Sequence, residues 1–370
     1  GSIIAAPIIY SQICSSTVSL IRQIGQPSRG SNTSFTGIVS ILSLTFFVSF
    51  QKIRHMRKTP QNLKAVSVYR GIKEKIFHVG LVISLLILLS LKKIKQINMK
   101  SKHFLFVFLL QVAAFSVQAA RVDTVFVKSP SMNKDVKVVY ILPDKAVAKN
   151  PQACPAVYLL HGYGGNARTW IGIRPELPQI ADEKGIIFVC PDGKNSWYWD
   201  SPKDPSYRYE TFISSELVNY TDTHYAAIPE KRGRAITGLS MGGHGALWNA
   251  IRHKDVFGAA GSTSGGVDIR PFPNNWEMKK QLGELTANEA IWNNHTVINQ
   301  IDKLVNGDLA LIIDCGESDF FLEVNKELHK RLLAYKIDHD FITRPGGHTG
   351  TYWNNSIDYQ ILFFSKFFNK

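Results

Sequence analysis

From residue 121 onward the chain alternates between short apolar runs and longer segments whose apolar positions recur every three or four residues. Residues 122–127 and 137–142 are strand-like and flank the turn-forming stretch Ser129-Pro130-Ser131-Met132-Asn133, which predicts an N-terminal hairpin. Apolar runs follow at 156–160 (AVYLL), 186–190 (IIFVC), 234–237, 257–262, 309–314 (LALIID) and 339–343. Short continuous runs of this kind predict strands covered on both faces. Helical spacing occupies 176–184, 211–221, 245–253, 322–335 and 357–368. Strands alternating with helices predict an α/β fold, a mostly parallel central sheet with helices on both faces. In such sheets the loops at the carboxyl ends of the strands build the site.

Upstream the pattern changes. Met99 is followed by Lys100 and Lys102, an apolar run at 104–114 (FLFVFLLQVAA) and the small residues around Ser116-Val117-Gln118-Ala119. This order predicts a secretory signal peptide over 99–120, cleaved after Ala119, and the run is short for a membrane span. Two further apolar runs, 37–50 and 79–91, are flanked by Lys52, Arg54, Arg57 and Lys58 and by Lys92, Lys93 and Lys95. They read either as marginal membrane segments with their basic loops inside, which would anchor the chain, or as translated leader upstream of a start at Met99. The second reading is favoured, because a methionine followed at once by a complete signal sequence is otherwise hard to explain and the chain begins with Gly1. The expected organisation is a leader over 1–98, a signal peptide over 99–120 and one domain over 121–370, exported to the periplasm or beyond.

Charge sharpens the division. The whole chain carries a formal +14. Residues 1–98 hold 13 Lys/Arg against the single acid Glu74, whereas residues 121–370 hold 28 of each sign. The basic character therefore belongs to the first 120 residues, and the remaining domain offers no basic patch for nucleic acid. It is long enough to bury a large core without disulfides or metal. Cys154, Cys190 and Cys315 have no metal-ligand spacing and are expected as small buried hydrophobes.

Four motifs follow apolar runs directly. Gly238-Leu239-Ser240-Met241-Gly242 is a G-x-S-x-G, the pattern of a sharp strand-to-helix turn that exposes a serine hydroxyl at the start of a helix. His161-Gly162-Tyr163-Gly164-Gly165 follows AVYLL, where a hydrolase needs a second N–H for a tetrahedral oxyanion. Tyr163 is the expected donor there, with Gly164 as the alternative, and Met241 supplies the first. Asp314, Glu317 and Asp319 close LALIID or lie just past it; any of them could orient a histidine, and spacing alone does not choose. His348, in Gly346-Gly347-His348-Thr349, completes the order Ser, acid, His. Further on, Trp197, Tyr198 and Trp199 lie past the strand IIFVC and are expected either to line an acyl or sugar pocket or to pack on the core.

The segments LLHGYGG, PDGKNSWYWDSP, YETFISSELVNYTDTHY, GLSMGGHGAL, DCGESDFF and GGHTGTYW, in this order, resemble the putative-esterase family. That family includes esterase D (S-formylglutathione hydrolase), tributyrin esterases, the feruloyl and acetylxylan esterases of carbohydrate esterase family 1, and the mycolyltransferases. The resemblance covers residues 122–370 and implies an α/β-hydrolase fold without a large lid domain. It carries the nucleophile onto Ser240, the base onto His348, the acid onto Asp319, and the oxyanion donors onto Met241 and Tyr163. It makes Glu210 a secondary, supporting candidate. Gly350 departs from the pattern, since relatives often carry Trp after the His-Thr pair, and this would open the pocket beside His348.

The expected function is a serine carboxylesterase working through an acyl-enzyme, with no metal or organic cofactor, on short-chain or carbohydrate-linked (acetyl or feruloyl) esters. Export disfavours S-formylglutathione, an intracellular metabolite. Alternatives are an acyltransferase or a thioesterase of the same family, or a non-catalytic carbohydrate-binding module relying on the aromatic loop.

Overall fold

The computed structural model describes residues 120–369. The leader and signal-peptide expectations fall outside them, and no helix of the described residues is long and apolar enough to cross a membrane. Eight strands form one sheet: β1 (Arg121–Ser129), β2 (Lys134–Leu142), β3 (Ala156–Leu160), β4 (Ile187–Pro191), β5 (Arg234–Gly238), β6 (Ala259–Thr263), β7 (Ala310–Gly316) and β8 (Asp340–Arg344). Their spatial order is β1-β2-β4-β3-β5-β6-β7-β8. The β1–β2 and β2–β4 pairs are antiparallel, and every later pair is parallel. The predicted hairpin turns at Asn133, which takes φ 51°.

β3, β4, β5 and β6 are buried at every position. That is the physical meaning of their unbroken apolar runs: helices cover both faces, so no alternation survives. Five helices of eight or more residues are found among the described residues: α1 (Leu177–Lys184), α2 (Leu217–His224), α3 (Met241–Arg252), α4 (Leu322–Ala334) and α5 (Gly350–Phe368). Two apolar layers result, one holding Tyr140, Tyr158, Ile236 and Trp248, the other Val157, Phe188, Ala235 and Phe364. The three domain cysteines are free and buried, as expected of small hydrophobes.

Two helices begin earlier than their spacing suggests. α5 starts at Gly350, not 357, because Thr349 caps it by accepting the Tyr352 N–H through its side chain. α3 starts at Met241, where the G-x-S-x-G turn placed its start and four residues before its periodic stretch, because the glycines of the first turn carry no hydrophobic signal. The helix expected over 211–221 is interrupted by a π-helical turn at Phe212–Glu216. There Glu216 turns toward the β1–β2 turn and accepts from Ser129 Oγ (2.6 Å) and Ser131 N–H (2.8 Å).

Candidate active site

Ser240 stands between β5 and α3 with φ 56° and ψ −119°, a left-handed conformation that is strained for a non-glycine residue. The surrounding backbone enforces it. Ser240 N–H donates to Thr263 O (2.9 Å), and His244 N–H donates back to Ser240 O (3.1 Å). Gly242 has no room for a side chain: a Cβ there would collide with Leu160 O and lie 2.6 Å from His161 O. The two glycines of the motif thus let the turn press against the end of β3, and Ser240 remains only 8% exposed.

The ends of β7 and β8 bring the other two residues to the same place. Ser318 N–H donates to Gly346 O (2.8 Å), which ties the acid-bearing loop to the histidine-bearing loop. Gly346 takes φ 136°, open to glycine, and a Cβ there would lie 2.6 Å from Tyr352. His348 Nε2 lies 2.9 Å from Ser240 Oγ, and its Nδ1 lies 3.0 and 3.1 Å from the two oxygens of Asp319. Asp319 Oδ1 also accepts the Phe321 N–H (2.9 Å). This line of contacts lets an imidazole accept a hydroxyl proton while a carboxylate holds its other nitrogen.

The remaining two carboxylates are elsewhere. Asp314 is fully buried, paired with Arg344 and accepting the Tyr352 hydroxyl at 2.5 Å. Burial raises its pKa against the pull of Tyr352 and Arg344. Glu317 is exposed. Among the three acids the sequence proposed, only Asp319 faces His348.

Met241 is the first residue of α3, where helix N–H groups have no acceptor within the helix. Across from it runs the loop after β3. Its Gly164 N–H is already committed to Asn195 Oδ1 (2.9 Å). The loop is braced from below: His161 Nε2 accepts the Gly193 N–H (2.9 Å), and its Nδ1 bonds Gly162 O (2.7 Å), so Nδ1 carries the proton.

The aromatic loop departs from the pocket-lining expectation. Trp197, Tyr198 and Trp199 are at most 1% exposed. Trp197 (φ 56°) and Tyr198 (φ 61°) are both left-handed, and the loop turns its rings beneath α3 rather than toward the opening. Tyr198 fits because Gly193 and Gly245 leave space: a Cβ on either would lie 2.7 Å from an atom of its side chain. Trp199 Nε1 donates to His244 Nε2 (2.8 Å), whose Nδ1 bonds Gly266 O (2.9 Å). Burial drives the His244 imidazole down to about 3, so this link is made by the neutral ring. The loop therefore props α3.

Glu210 is also a support. It accepts from Trp248 Nε1 (2.8 Å) and Arg252 Nε (2.7 Å) and lies 2.9 Å from His253 Nε2. Burial would raise its pKa, but His253, Arg252 and Trp248 outweigh burial and hold it at about 2. It anchors the far end of α3, not the serine.

Other residues reach the opening without having drawn notice in the sequence. Phe320 lies with its ring centre 4.3 Å from that of His348, and Trp276 stacks on Phe320. Glu277, next to Trp276, accepts the Tyr163 hydroxyl (3.1 Å). The DCGESDFF segment contained Phe320, but nothing in a loop sequence says which of two adjacent phenylalanines faces out. A Cβ on Gly350 would meet nothing within 4 Å, so the space a bulkier residue would fill is open.

A sequence model of the family described as "Putative esterase" matches residues 129–364. The chain belongs to this family. Among relatives, an acetyl esterase of Caldicellulosiruptor saccharolyticus is 28% identical over 260 residues, 64% of this chain and 96% of that protein. Mouse S-formylglutathione hydrolase is 26% identical over 218 residues, 53% of this chain and 74% of that protein. A solved ferulic acid esterase superposes with a TM-score of 0.59 at 26% identity, covering 68% of this chain and 99% of its own. The esterase has the α/β-hydrolase fold and is a carboxylic ester hydrolase.

Proposed function

We propose that the esterase is a serine carboxylesterase in which Ser240 is the nucleophile, His348 the general base and acid, and Asp319 the residue that orients His348. The observation carrying this reading is the unbroken line from Ser240 Oγ through His348 to Asp319, with each contact near 3 Å. His348 Nε2 takes the Ser240 proton as Oγ attacks the ester carbonyl. The N–H groups of Met241 and Tyr163 hold the oxyanion, and losing one such donor costs about 3–4 kcal/mol. His348 then returns the proton to the leaving alcohol, and water hydrolyses the acyl-enzyme by the same steps in reverse.

Short-acyl or carbohydrate-linked esters are the proposed substrates. An acetyl esterase and a ferulic acid esterase among the relatives favour this class. Export through the segment at 99–120 favours esters met outside the cytoplasm, and N-terminal sequencing of the mature protein tests that point. For the chemistry, Ser240→Ala is compared with wild type on p-nitrophenyl acetate, p-nitrophenyl butyrate and methyl ferulate. Turnover should vanish while the thermal transition stays in place. A Ser240→Ala protein that keeps its turnover refutes the assignment.

A further inference from the structure

Beside His348 the surface is aromatic. Phe320 keeps 52% of its surface exposed, whereas its neighbour Phe321 is fully buried. Trp276 stacks on Phe320 with ring centres 5.8 Å apart and planes 22° apart. Trp276 is half-buried, so the part of the pair left open to water is Phe320, and an aromatic ring exposed beside a reacting group suits a binding surface.

Reaction geometry decides which part of an ester meets this surface. On attack, a bond forms from Ser240 Oγ to the carbonyl carbon, and the oxyanion turns toward the amides of Met241 and Tyr163. When the carbon–oxygen bond to the alcohol breaks, that oxygen must sit at His348 Nε2 to collect the proton taken from Ser240. The alcohol therefore lies on the His348 side, where the Phe320 ring stands 4.3 Å from the imidazole. Directly after Trp276 the surface becomes polar. Glu277, Lys280 and Gln281, with Lys194, Asn195 and Tyr207, line a cleft of about 340 Å³. Its charges are matched, Lys280 with Glu277 and Lys194 with Asp192. Gln281 is 8% exposed, and its Oε1 accepts no hydrogen bond among the described residues.

We propose that Phe320 and Trp276 form the alcohol-side subsite, an aromatic wall for a ring-shaped, hydroxylated leaving alcohol whose polar edge reaches toward the cleft at Glu277 and Lys280. The esterase then reads the alcohol part of its ester through these two rings. This rests on the Ser240–His348 reading above, because that reading puts the leaving oxygen beside the wall.

The test compares wild type with Phe320→Leu and Trp276→Leu on methyl 2-O-acetyl-β-D-xylopyranoside, ethyl acetate and ethyl ferulate. The kcat/KM ratio of acetyl xyloside to ethyl acetate should fall about tenfold in each variant, the size of one lost aromatic contact. The ratio of ethyl ferulate to ethyl acetate should move by less than about twofold. A fall in the ferulate ratio instead, or no movement in either, overturns the proposal. A binding measurement separates it from the esterase reading. Saturation transfer from Ser240→Ala protein to the ring protons of methyl β-D-xylopyranoside should weaken when Phe320→Leu is added. If wild type hydrolyses no ester yet this difference is seen, the esterase reading falls, and with it the alcohol-side role, while the two rings stand as a sugar-binding surface. If the difference is absent, the proposal falls whatever the turnover.

Discussion

Gly242→Ala is the smallest change that should disable the site without touching a reacting atom. The added methyl would collide with Leu160 O and lie 2.6 Å from His161 O, and both obstacles are backbone. Real Cβ contacts begin near 3.0 Å, so the end of β3 with the loop after it must retreat by about 0.7 Å, or α3 must move as a body. Either motion separates Tyr163 from Met241, the two proposed oxyanion donors. Misplacement by about 1 Å costs on the order of 100-fold, so kcat/KM on p-nitrophenyl acetate should drop roughly 10- to 100-fold. Overpacking against backbone should also cost about 1–3 kcal/mol of stability, read from urea unfolding. Gly172→Ala is the control. It lies in the short helix Thr169–Ile173, where an added Cβ meets nothing within 4 Å. There the methyl should leave kcat/KM alone and raise stability by up to about 1 kcal/mol. A folded Gly242→Ala protein with wild-type kcat/KM would refute the claim that this contact sets the oxyanion geometry.

Asp319→Asn should lower kcat by about 10³–10⁴ through loss of the imidazole tautomer. The exposed Glu317→Gln should stay within about twofold of wild type in the same assay; equal losses in both would refute the choice of acid. His244 gives a pH signature. Its folded pKa of about 3 lies below the ordinary 6.5, so between these values the unfolded chain binds a proton that the folded one refuses. Stability from this group is full above pH 6.5 and falls as pH drops toward 3, by about 2 kcal/mol at pH 5 relative to pH 8. Urea unfolding at the two pH values, for wild type and His244→Gln, should show a shallower loss in the variant; an identical loss would show that His244 does not carry it.

Much of this protein is determined by the sequence alone. The unbroken runs AVYLL and IIFVC marked strands covered on both faces, since burial on two sides erases alternation. The glycines around Ser240 marked the turn, because only they can pass beside the end of β3. What the sequence left open depended on direction in space. Spacing along the chain does not separate Asp314, Glu317 and Asp319, and only the family resemblance pointed to Asp319; in space Arg344 and Tyr352 occupy Asp314, Glu317 is exposed, and the loop ties to Gly346 turn Asp319 toward His348. For Trp197, Tyr198 and Trp199 the sequence left pocket wall and core packing open, and two successive left-handed residues send them under α3. Left-handed backbone at Trp and Tyr has no sequence signal, because only the surrounding packing holds such residues there. For the same reason, only the tertiary structure shows that Phe320 faces out beside His348 while Phe321 faces in.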